Sequence, residues 1–270
     1  MYRILFEGTM FQMRTWNVCF IIGALFAFYL LFTKRPKNWI TAKDAIIIFL
    51  ILVCAGFIGA KFLFAFLHLS KDFQLSLVGS PGGIKTPIEI IFGKTGYAFL
   101  GAPMFQFPTV YIYCMFYKDR LNFLKVMDYV MPFTILQLAF VRVGCFFSGC
   151  CGGIEAPPPF GFFFPTRHGG TILKIPTQLY SSVGLIFIYI FWRNYYKKKE
   201  FKDGVVFLGS IASYSFYRFM IEFLRVDSPH ILGPISVAQI TLFTIGVVSL
   251  NYIRILNKKG TITINKEKNI

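Results

Sequence analysis

The stretch AIIIFLILVCAGFIGAKFLFAFL, residues 45–67, decides the fold class. It holds 23 residues with one charged side chain, Lys61, and contains no proline. A helix needs about 20 predominantly apolar residues to cross the hydrocarbon core of a bilayer. The stretch is far longer than a buried strand, and it therefore predicts a transmembrane helix.

Runs of similar character lie on both sides of this stretch. The predicted spans are 15–32, 45–67, 97–117, 126–147, 177–192, 205–224 and 235–255. The chain is 56% hydrophobic with a mean hydropathy of +0.61, and only 15% of its residues are charged, against about 25% in soluble domains. These values predict an all-α integral membrane protein with about seven transmembrane helices in a single domain, residues 1–256.

The basic residues indicate the orientation. The net charge is +16, and the connectors after the first, third and fifth spans, with the C-terminal end, hold roughly twice as many Lys and Arg as the other side. Short loops that stay cytoplasmic are enriched in Lys and Arg. We predict an outside N-terminus, outer connectors at 71–96 and 152–176, and a polar, disordered cytoplasmic tail at 257–270. Because the orientation in the membrane accounts for the net positive charge, we expect no nucleic acid partner.

Lys61, Arg142 and Arg218 lie inside predicted spans. A charge at membrane depth costs several kcal/mol, so it normally faces the bundle interior or a watery cavity and has a partner. For Arg142 and Arg218 we expect a functional role; the alternatives are a structural ion pair or a side chain that extends to the interface. Lys61 fits the interface alternative more readily.

A polar stripe runs along YSFYRFMIEFLR, residues 214–225. Tyr214, Arg218, Glu222 and Arg225 are spaced by four, four and three residues, which places them on one face of a helix. Glu222 can pair with either arginine, and the remaining guanidinium donors suit an anionic oxygen group such as phosphate. The alternative is a self-satisfied ladder of ion pairs at the membrane surface.

Two predicted spans begin with polar groups, in KIPTQLYSS (174–182) and GPISVAQI (233–240). The free N–H groups of a helix start also favour anions. We therefore predict that Gln178, Tyr180 and Gln239 line the outer rim of a substrate site.

Three cysteines, Cys145, Cys150 and Cys151, lie in FVRVGCFFSGCCGG, residues 140–153. The spacing lacks the Cys-x2-Cys pair of common metal sites, so no metal is predicted. A Cys145–Cys150 disulfide and close packing of small residues beside the glycines stay open as alternatives.

The motifs, in this order, resemble the prolipoprotein diacylglyceryl transferase family. RVGCFFSGCCGG is similar to the family's Arg-x-Gly-Asn-Phe signature that ends in glycine, and MDYVMPF precedes it as the family's Asp and Pro do. PFGFFFP, PTQLY, YSFYRFMIEFLR and ISVAQ follow in the family's order, and GAK at 59–61 is similar to its Gly-Ala-Arg. The similarity covers nearly the whole chain and is strongest over residues 128–239.

The resemblance implies a multi-pass enzyme of the bacterial plasma (inner) membrane. It would move a diacylglyceryl group from phosphatidylglycerol to the thiol of a lipobox cysteine in a lipoprotein precursor, releasing glycerol phosphate and forming a thioether. By motif match, Arg142 and Arg218 would hold the lipid headgroup, and Tyr214 and Gly153 would shape the site. The partners implied are phosphatidylglycerol, lipobox precursors and membrane lipid, and no cofactor is implied. The other predicted substrate-binding residues are Glu222, Arg225, Gln178, Tyr180 and Gln239.

The chain also departs from the family pattern. Leu100 and Ile175 stand where histidines are expected, and Cys145 and Cys150 replace a signature asparagine and glutamate. The usual proton acceptors for the incoming thiol are therefore missing. His168, predicted as catalytic, Glu222 and the departing phosphate are the alternative bases. Two other functions stay open: a catalytically silent or altered relative that binds anionic phospholipid or lipoprotein precursors, and a transporter or receptor.

Overall fold

The computed structural model describes residues 4–5, 13–77, 98, 100–165, 170–198, 201–225, 230–232 and 235–267. The α-helices within these ranges are α1 Thr15–Thr33, α2 Ala42–Leu77, α3 Gly101–Phe116, α4 Phe123–Phe147, α5 Thr177–Lys198, α6 Val205–Glu222 and α7 Val237–Glu267. Each of the predicted spans overlaps one of these helices, and the all-α membrane fold class is confirmed. Among the described residues, four helical segments are long and apolar enough to cross a membrane: Thr15–Thr33, Ala42–Leu67, Phe123–Phe147 and Val237–Lys258.

Two helix ends differ from the sequence prediction. Helix α2 continues to Leu77, so the connector predicted over 71–96 begins with helix. Helix α7 continues to Glu267, so the prediction of a disordered tail from residue 257 is wrong as far as that residue. Neither 68–77 nor 257–267 contains a proline, the residue that ends a helix most strongly, so the preceding helix can continue through each segment.

Short antiparallel hairpins occupy three of the connecting segments. They are β1 Ile4–Leu5 with β2 Met13–Arg14, β3 Phe162–Pro165 with β4 Thr171–Lys174, and β5 His230–Leu232 with β6 Ile235–Ser236. The second hairpin has Phe162 opposite Lys174 and lies in the connector predicted over 152–176.

The chain folds as two compact units, Lys34–Phe123 and the combination of Met1–Thr33 with Leu124–Ile270. In Lys34–Phe123, helices α2 and α3 pack closely because two glycines meet. A Cβ added at Gly59 would lie 2.3 Å from the carbonyl oxygen of Gly101, so only glycine allows this approach. The Gln106 Nε2 amide also donates to the Leu52 carbonyl at 2.6 Å. The single domain predicted for residues 1–256 stays a prediction.

In the other unit, helix α4 is the central element. Its Asp128 is buried and accepts hydrogen bonds from the N–H groups of Gly204 (2.6 Å) and Phe207 (2.7 Å), which caps the start of α6. Its Tyr129 hydroxyl donates to the Leu31 carbonyl of α1. On α5, the Ser182 hydroxyl donates to the Ala139 carbonyl of α4 at 3.1 Å. These bonds fix α1, α5 and α6 against α4.

Candidate active site

The polar stripe of α6 forms an ion pair at the end of that helix. The Arg218 Nη1 and Glu222 Oε2 atoms lie 2.5 Å apart, with side-chain exposures of 14% and 2%. The chain turns immediately afterwards, and the Arg225 N–H donates to the Glu222 carbonyl at 3.1 Å. Since burying a carboxylate without a partner is costly, Glu222 needs an adjacent cation. The predicted pairing of Glu222 with an arginine is therefore present.

Arg142 of α4 faces the same stripe. Its guanidinium donates a hydrogen bond to the Tyr214 hydroxyl and interacts electrostatically with Cys145 and Cys151. The Tyr214 ring packs against the buried cluster of Ile135, Ala139 and Leu185, which fixes its position. The described neighbours of Arg142 are thus a hydroxyl, two thiols and the guanidinium of Arg218, and no carboxylate is among the groups that act on it.

The guanidinium of Arg218 interacts electrostatically with those of Arg142 and Arg225. In the described part of the site, its one carboxylate partner is Glu222, so the charges near Arg218 are two further cations and one anion. Like charges repel strongly where solvent is excluded. The arrangement therefore favours an anion, and guanidinium groups bind phosphate oxygens through paired, charge-assisted hydrogen bonds.

The turn after α4 is held by the first residues of α5. The Gln178 Nε2 amide donates to the Cys150 carbonyl at 2.5 Å, and the Thr177 hydroxyl donates to the Cys151 carbonyl at 3.0 Å. Both side chains are buried. Gly149 and Cys151 have positive φ angles of 67° and 62°, so the turn is tight and strained at Cys151. Gln178, predicted to bind substrate, holds this turn through its amide nitrogen.

Gly153 joins the turn to the end of α6. Its N–H donates to the Ile175 carbonyl at 2.9 Å, and the following N–H, of Ile154, donates to the Leu224 carbonyl at 2.9 Å. A Cβ added at Gly153 would lie 2.5 Å from the Leu224 carbonyl oxygen, so no larger residue fits. This close approach sets the Arg225 backbone beside the turn, where Gly153 and Arg225 form an isolated β-bridge.

The three cysteines of FVRVGCFFSGCCGG, residues 140–153, are free thiols. Side-chain hydrogen bonds link Cys145, Cys150 and Cys151 to one another. Hydrogen bonds from Cys145 and Cys150 hold the pKa of Cys151 below its ordinary value, and the charges of Arg225 and Arg142 act in the same direction. The sulfurs are not joined in a disulfide, and the close packing beside the glycines is present at Gly144 and Gly153.

Two predicted rim residues have other partners in the structure. Gln239 accepts from the Ser236 N–H through Oε1 at 2.8 Å, while its own N–H donates to the Ser236 hydroxyl at 3.2 Å. This reciprocal pair is a capping box at the start of α7. The Tyr180 side chain is exposed, and its carbonyl accepts from the Tyr217 hydroxyl. His168 lies outside the described residues, so its predicted catalytic role stays a prediction.

The sequence pattern does not reveal that the Thr177 hydroxyl holds the turn at the Cys151 carbonyl. Their contact joins residues that are 26 positions apart. The only local signal is the Pro-Thr-Gln at the start of α5, which indicates a polar helix start but not its partner. In the chain as described, no three His, Cys, Asp or Glu side chains are arranged as metal ligands.

Comparison with known proteins identifies relatives over nearly the whole chain. A family model for prolipoprotein diacylglyceryl transferase matches residues 3–254. The phosphatidylglycerol–prolipoprotein diacylglyceryl transferase of Clostridium tetani is 29% identical over 245 residues, covering 90% of this chain and 93% of that protein. The protein of the same name from Clostridium botulinum strain Loch Maree is 31% identical over 256 residues, covering 91% and 93%. A second enzyme of this name from Clostridium perfringens is 28% identical over 266 residues, covering 94% and 97%.

Proposed function

The chain belongs to the prolipoprotein diacylglyceryl transferase family, and from this premise we propose that it transfers a diacylglyceryl group from phosphatidylglycerol to the cysteine thiol of a lipoprotein precursor. The names of its relatives give both substrates. The observation that carries the proposal is that Arg218 interacts with two further arginines, Arg142 and Arg225, and with one carboxylate, Glu222. Such an excess of positive charge suits a lipid whose headgroup is an anionic phosphate.

In the proposed complex, Arg142 and Arg218 hold the phosphate of phosphatidylglycerol. Tyr214 orients Arg142 through their hydrogen bond, and Glu222 orients Arg218 through the ion pair. Oriented guanidinium groups lose less conformational freedom when they bind an oxyanion. Gly153 contributes by allowing the close backbone contact that sets Arg225 at the same site.

The same arginines also assist the reaction. The thiolate sulfur of the precursor attacks the glyceryl carbon that carries the phosphate, the C–O bond breaks, and glycerol phosphate leaves. The phosphodiester carries one negative charge, whereas the leaving monoester carries about 1.5 to 2 at neutral pH. Because charge increases on the phosphate during the step, fixed guanidinium donors stabilise the transition state more than the bound lipid.

The proposal includes a location in the bacterial plasma (inner) membrane with the site near the outer face. The chain is a membrane protein, and its basic residues predominate in the connectors assigned to the cytoplasmic side. The ends of α4 and α6 and the start of α5, which carry the site, would then face the compartment that holds secreted precursors.

Complementation of transferase-depleted bacteria tests the proposed function. The chain should restore growth, and a lipobox peptide should gain the mass of one diacylglyceryl group at its cysteine. Arg254 is an exposed arginine of α7 and gives a matched control, since Arg254→Ala removes the same charge outside the site. A well-expressed, membrane-inserted protein that forms no adduct would contradict transfer and favour a relative that only binds lipid or precursor.

A further inference from the structure

Buried polar atoms without hydrogen-bond partners are concentrated at the end of the helices that carries the candidate site. Among the described residues, most atoms of this kind lie in the turn after α4, at the starts of α5 and α7, and in or directly after the last turn of α6. They include Ser148 Oγ, Gln178 Oε1, Arg225 Nε and Gln239 Nε2. Buried polar groups are nearly always hydrogen-bonded, and each exception needs an explanation. A polar substrate accounts for this concentration, because it would supply the missing partners.

Gln178 is the most informative of these residues, because its side chain is 1% exposed and half of its amide is already used. The Nε2 atom donates to the Cys150 carbonyl at 2.5 Å. Only the nitrogen of a side-chain amide can donate to a carbonyl, so this bond identifies the other atom as the oxygen. The two atoms of an amide lie about 2.3 Å apart, which places Oε1 within about 5 Å of the Cys150 carbonyl oxygen. The unsatisfied atom is therefore an acceptor beside the turn.

The turn also connects this acceptor to the arginines. Gly153 follows Cys150 by three residues and forms a β-bridge with Arg225. Arg225 in turn interacts electrostatically with Arg218, one of the two proposed phosphate ligands. Gln178 Oε1 and the proposed phosphate site are thus attached to the same short backbone segment, and one lipid headgroup can contact both.

The chemistry of the site restricts which group can donate to Gln178 Oε1. The oxygens of a phosphodiester carry no proton at neutral pH and can only accept. An ammonium group can donate, but Arg218 already interacts with two further arginines, and like charges repel strongly where solvent is excluded. A hydroxyl donates without adding a positive charge. The terminal glycerol of phosphatidylglycerol carries two hydroxyls next to its phosphate.

We propose that Gln178 is a specificity-determining residue that accepts a hydrogen bond from a glycerol hydroxyl of the lipid headgroup, an inference that rests on the proposed function. Ser148 is the second hydroxyl contact. Its Oγ atom is buried, has no hydrogen-bond partner in the described structure and lies two residues before Cys150. A serine hydroxyl both accepts and donates, so it fits either glycerol hydroxyl.

The acceptor is held in place before the lipid binds. The Nε2 bond to the Cys150 carbonyl fixes the Gln178 amide, and the neighbouring Thr177 hydroxyl fixes the same turn at the Cys151 carbonyl at 3.0 Å. A fixed acceptor that stays unsatisfied penalises a lipid without a hydroxyl. We expect the site to discriminate against such a lipid by about 10- to 100-fold.

Phosphatidylpropanol is the probe that isolates the hydroxyls. Its headgroup has the same phosphate charge and the same three carbons as phosphatidylglycerol but carries no hydroxyl. The full chain is released from nanodiscs that contain equal amounts of the two lipids with identical acyl chains, and native mass spectrometry identifies the retained lipid. We expect the wild type to retain phosphatidylglycerol in preference by about tenfold or more. The ratio of kcat/KM for transfer from each lipid to a lipobox peptide gives the same comparison.

Gln178→Met tests the residue, since it keeps the length of the side chain and removes the acceptor. The variant also loses the bond to the Cys150 carbonyl, which should weaken both lipids equally, so the ratio of the two lipids reports the hydroxyl contact. We expect this ratio to fall to within about twofold of unity. Gln106→Met is the matched control, because the Gln106 amide also donates to a backbone carbonyl, that of Leu52 in Lys34–Phe123. This control should keep the ratio of the wild type.

Ser148→Ala keeps the test decisive if Gln178→Met does not fold. It leaves the Gln178 bond to the turn intact and should lower the lipid ratio by about fivefold. Equal retention of both lipids by the wild type would overturn the inference. An unchanged ratio in Ser148→Ala and in a folded Gln178→Met would also overturn it. A wild type that prefers phosphatidylglycerol but forms no adduct would contradict the proposed transfer while supporting the headgroup contact.

Discussion

Two arginine sites of this protein contain the same residue types but differ in their balance of positive and negative charge. In the unit Lys34–Phe123, Arg120 binds both carboxylate oxygens of Asp44, at 2.6 and 2.9 Å. The Tyr113 hydroxyl donates to the same carboxylate at 2.9 Å, and Thr41 donates both its N–H (2.8 Å) and its hydroxyl (2.7 Å). At the other site, Arg218 interacts with two arginines, Arg142 and Arg225, and with the carboxylate of Glu222.

From this difference we infer that the Asp44 site is structural, and we propose that the Arg142 site is functional. The Asp44 site pairs one cation with one anion, and neutral donors occupy the remaining hydrogen-bonding positions of the carboxylate. This arrangement is expected for an ion pair with a structural role. The Arg142 site keeps a positive excess in a sequence that is otherwise aromatic and aliphatic. Because an uncompensated charge at membrane depth is costly, it persists where a ligand or substrate supplies the opposite charge.

The largest expected effect comes from Arg142→Ala. Loss of a charge-assisted contact to the phosphate and to the developing charge should reduce kcat/KM by about 100-fold or more. Thermal stability should stay the same or rise, since Arg142 repels Arg218. The measurements are steady-state transfer to a lipobox peptide and thermal unfolding in detergent, with Arg254→Ala as the matched control. Near-native turnover in Arg142→Ala would remove the distinction between the two sites.

Asp44→Asn should have an intermediate effect, and it should lower stability rather than turnover. Asp44 is 2% exposed, but the Arg120 side chain is 38% exposed, so solvent screens the pair and the loss of stability should be about 1–3 kcal/mol. Turnover per folded molecule should not change. The matched control is Asp119→Asn, an exposed aspartate of the neighbouring connector. A fall in turnover at temperatures where the variant is folded would assign the Asp44 site a catalytic role.

The smallest expected effect comes from Tyr214→Phe. The ring keeps its packing against Leu185 and Ala139, and only the hydroxyl that accepts from Arg142 is lost. A hydrogen bond of about 1 kcal/mol corresponds to a roughly fivefold reduction of kcat/KM. The rate of Tyr214→Phe should be lower than that of the wild type by the same factor at every pH, which a comparison of the full pH–rate curves would show. A loss as large as that of Arg142→Ala would mean that the hydroxyl itself contacts the substrate.

The sequence is informative about features that depend on neighbouring residues. The apolar run at 45–67 predicts α2, and the spacing of Tyr214, Arg218 and Glu222 predicts one polar face of α6. The first depends on the length of the apolar run, and the second depends on helical periodicity. The Ser-x-x-Gln at Ser236 also carries a readable capping signature. The Gln239 Oε1 atom accepts from the Ser236 N–H as this signature predicts, and a contact of Gln239 with substrate stays a prediction.

Contacts between distant parts of the chain are not predictable in this way. Asp44 and Arg120 are 76 residues apart, and their connectors look like ordinary basic loops. The bond from Gln178 to the Cys150 carbonyl spans 28 residues, and it depends on how α4 and α5 pack. The same limit applies to the cysteines, whose spacing alone does not distinguish a disulfide from a hydrogen-bonded thiol cluster.

Lipid retention tests the central claim most directly, because it requires no chemistry. The wild type, Arg142→Ala and Asp44→Asn are released from nanodiscs of equal phosphatidylglycerol and phosphatidylcholine content, and native mass spectrometry then identifies the bound lipid. We predict that the wild type and Asp44→Asn retain phosphatidylglycerol in preference to phosphatidylcholine, and that Arg142→Ala loses this preference. Equal retention of phosphatidylglycerol by Arg142→Ala and the wild type would contradict the assignment of the arginine cluster as the phosphate site.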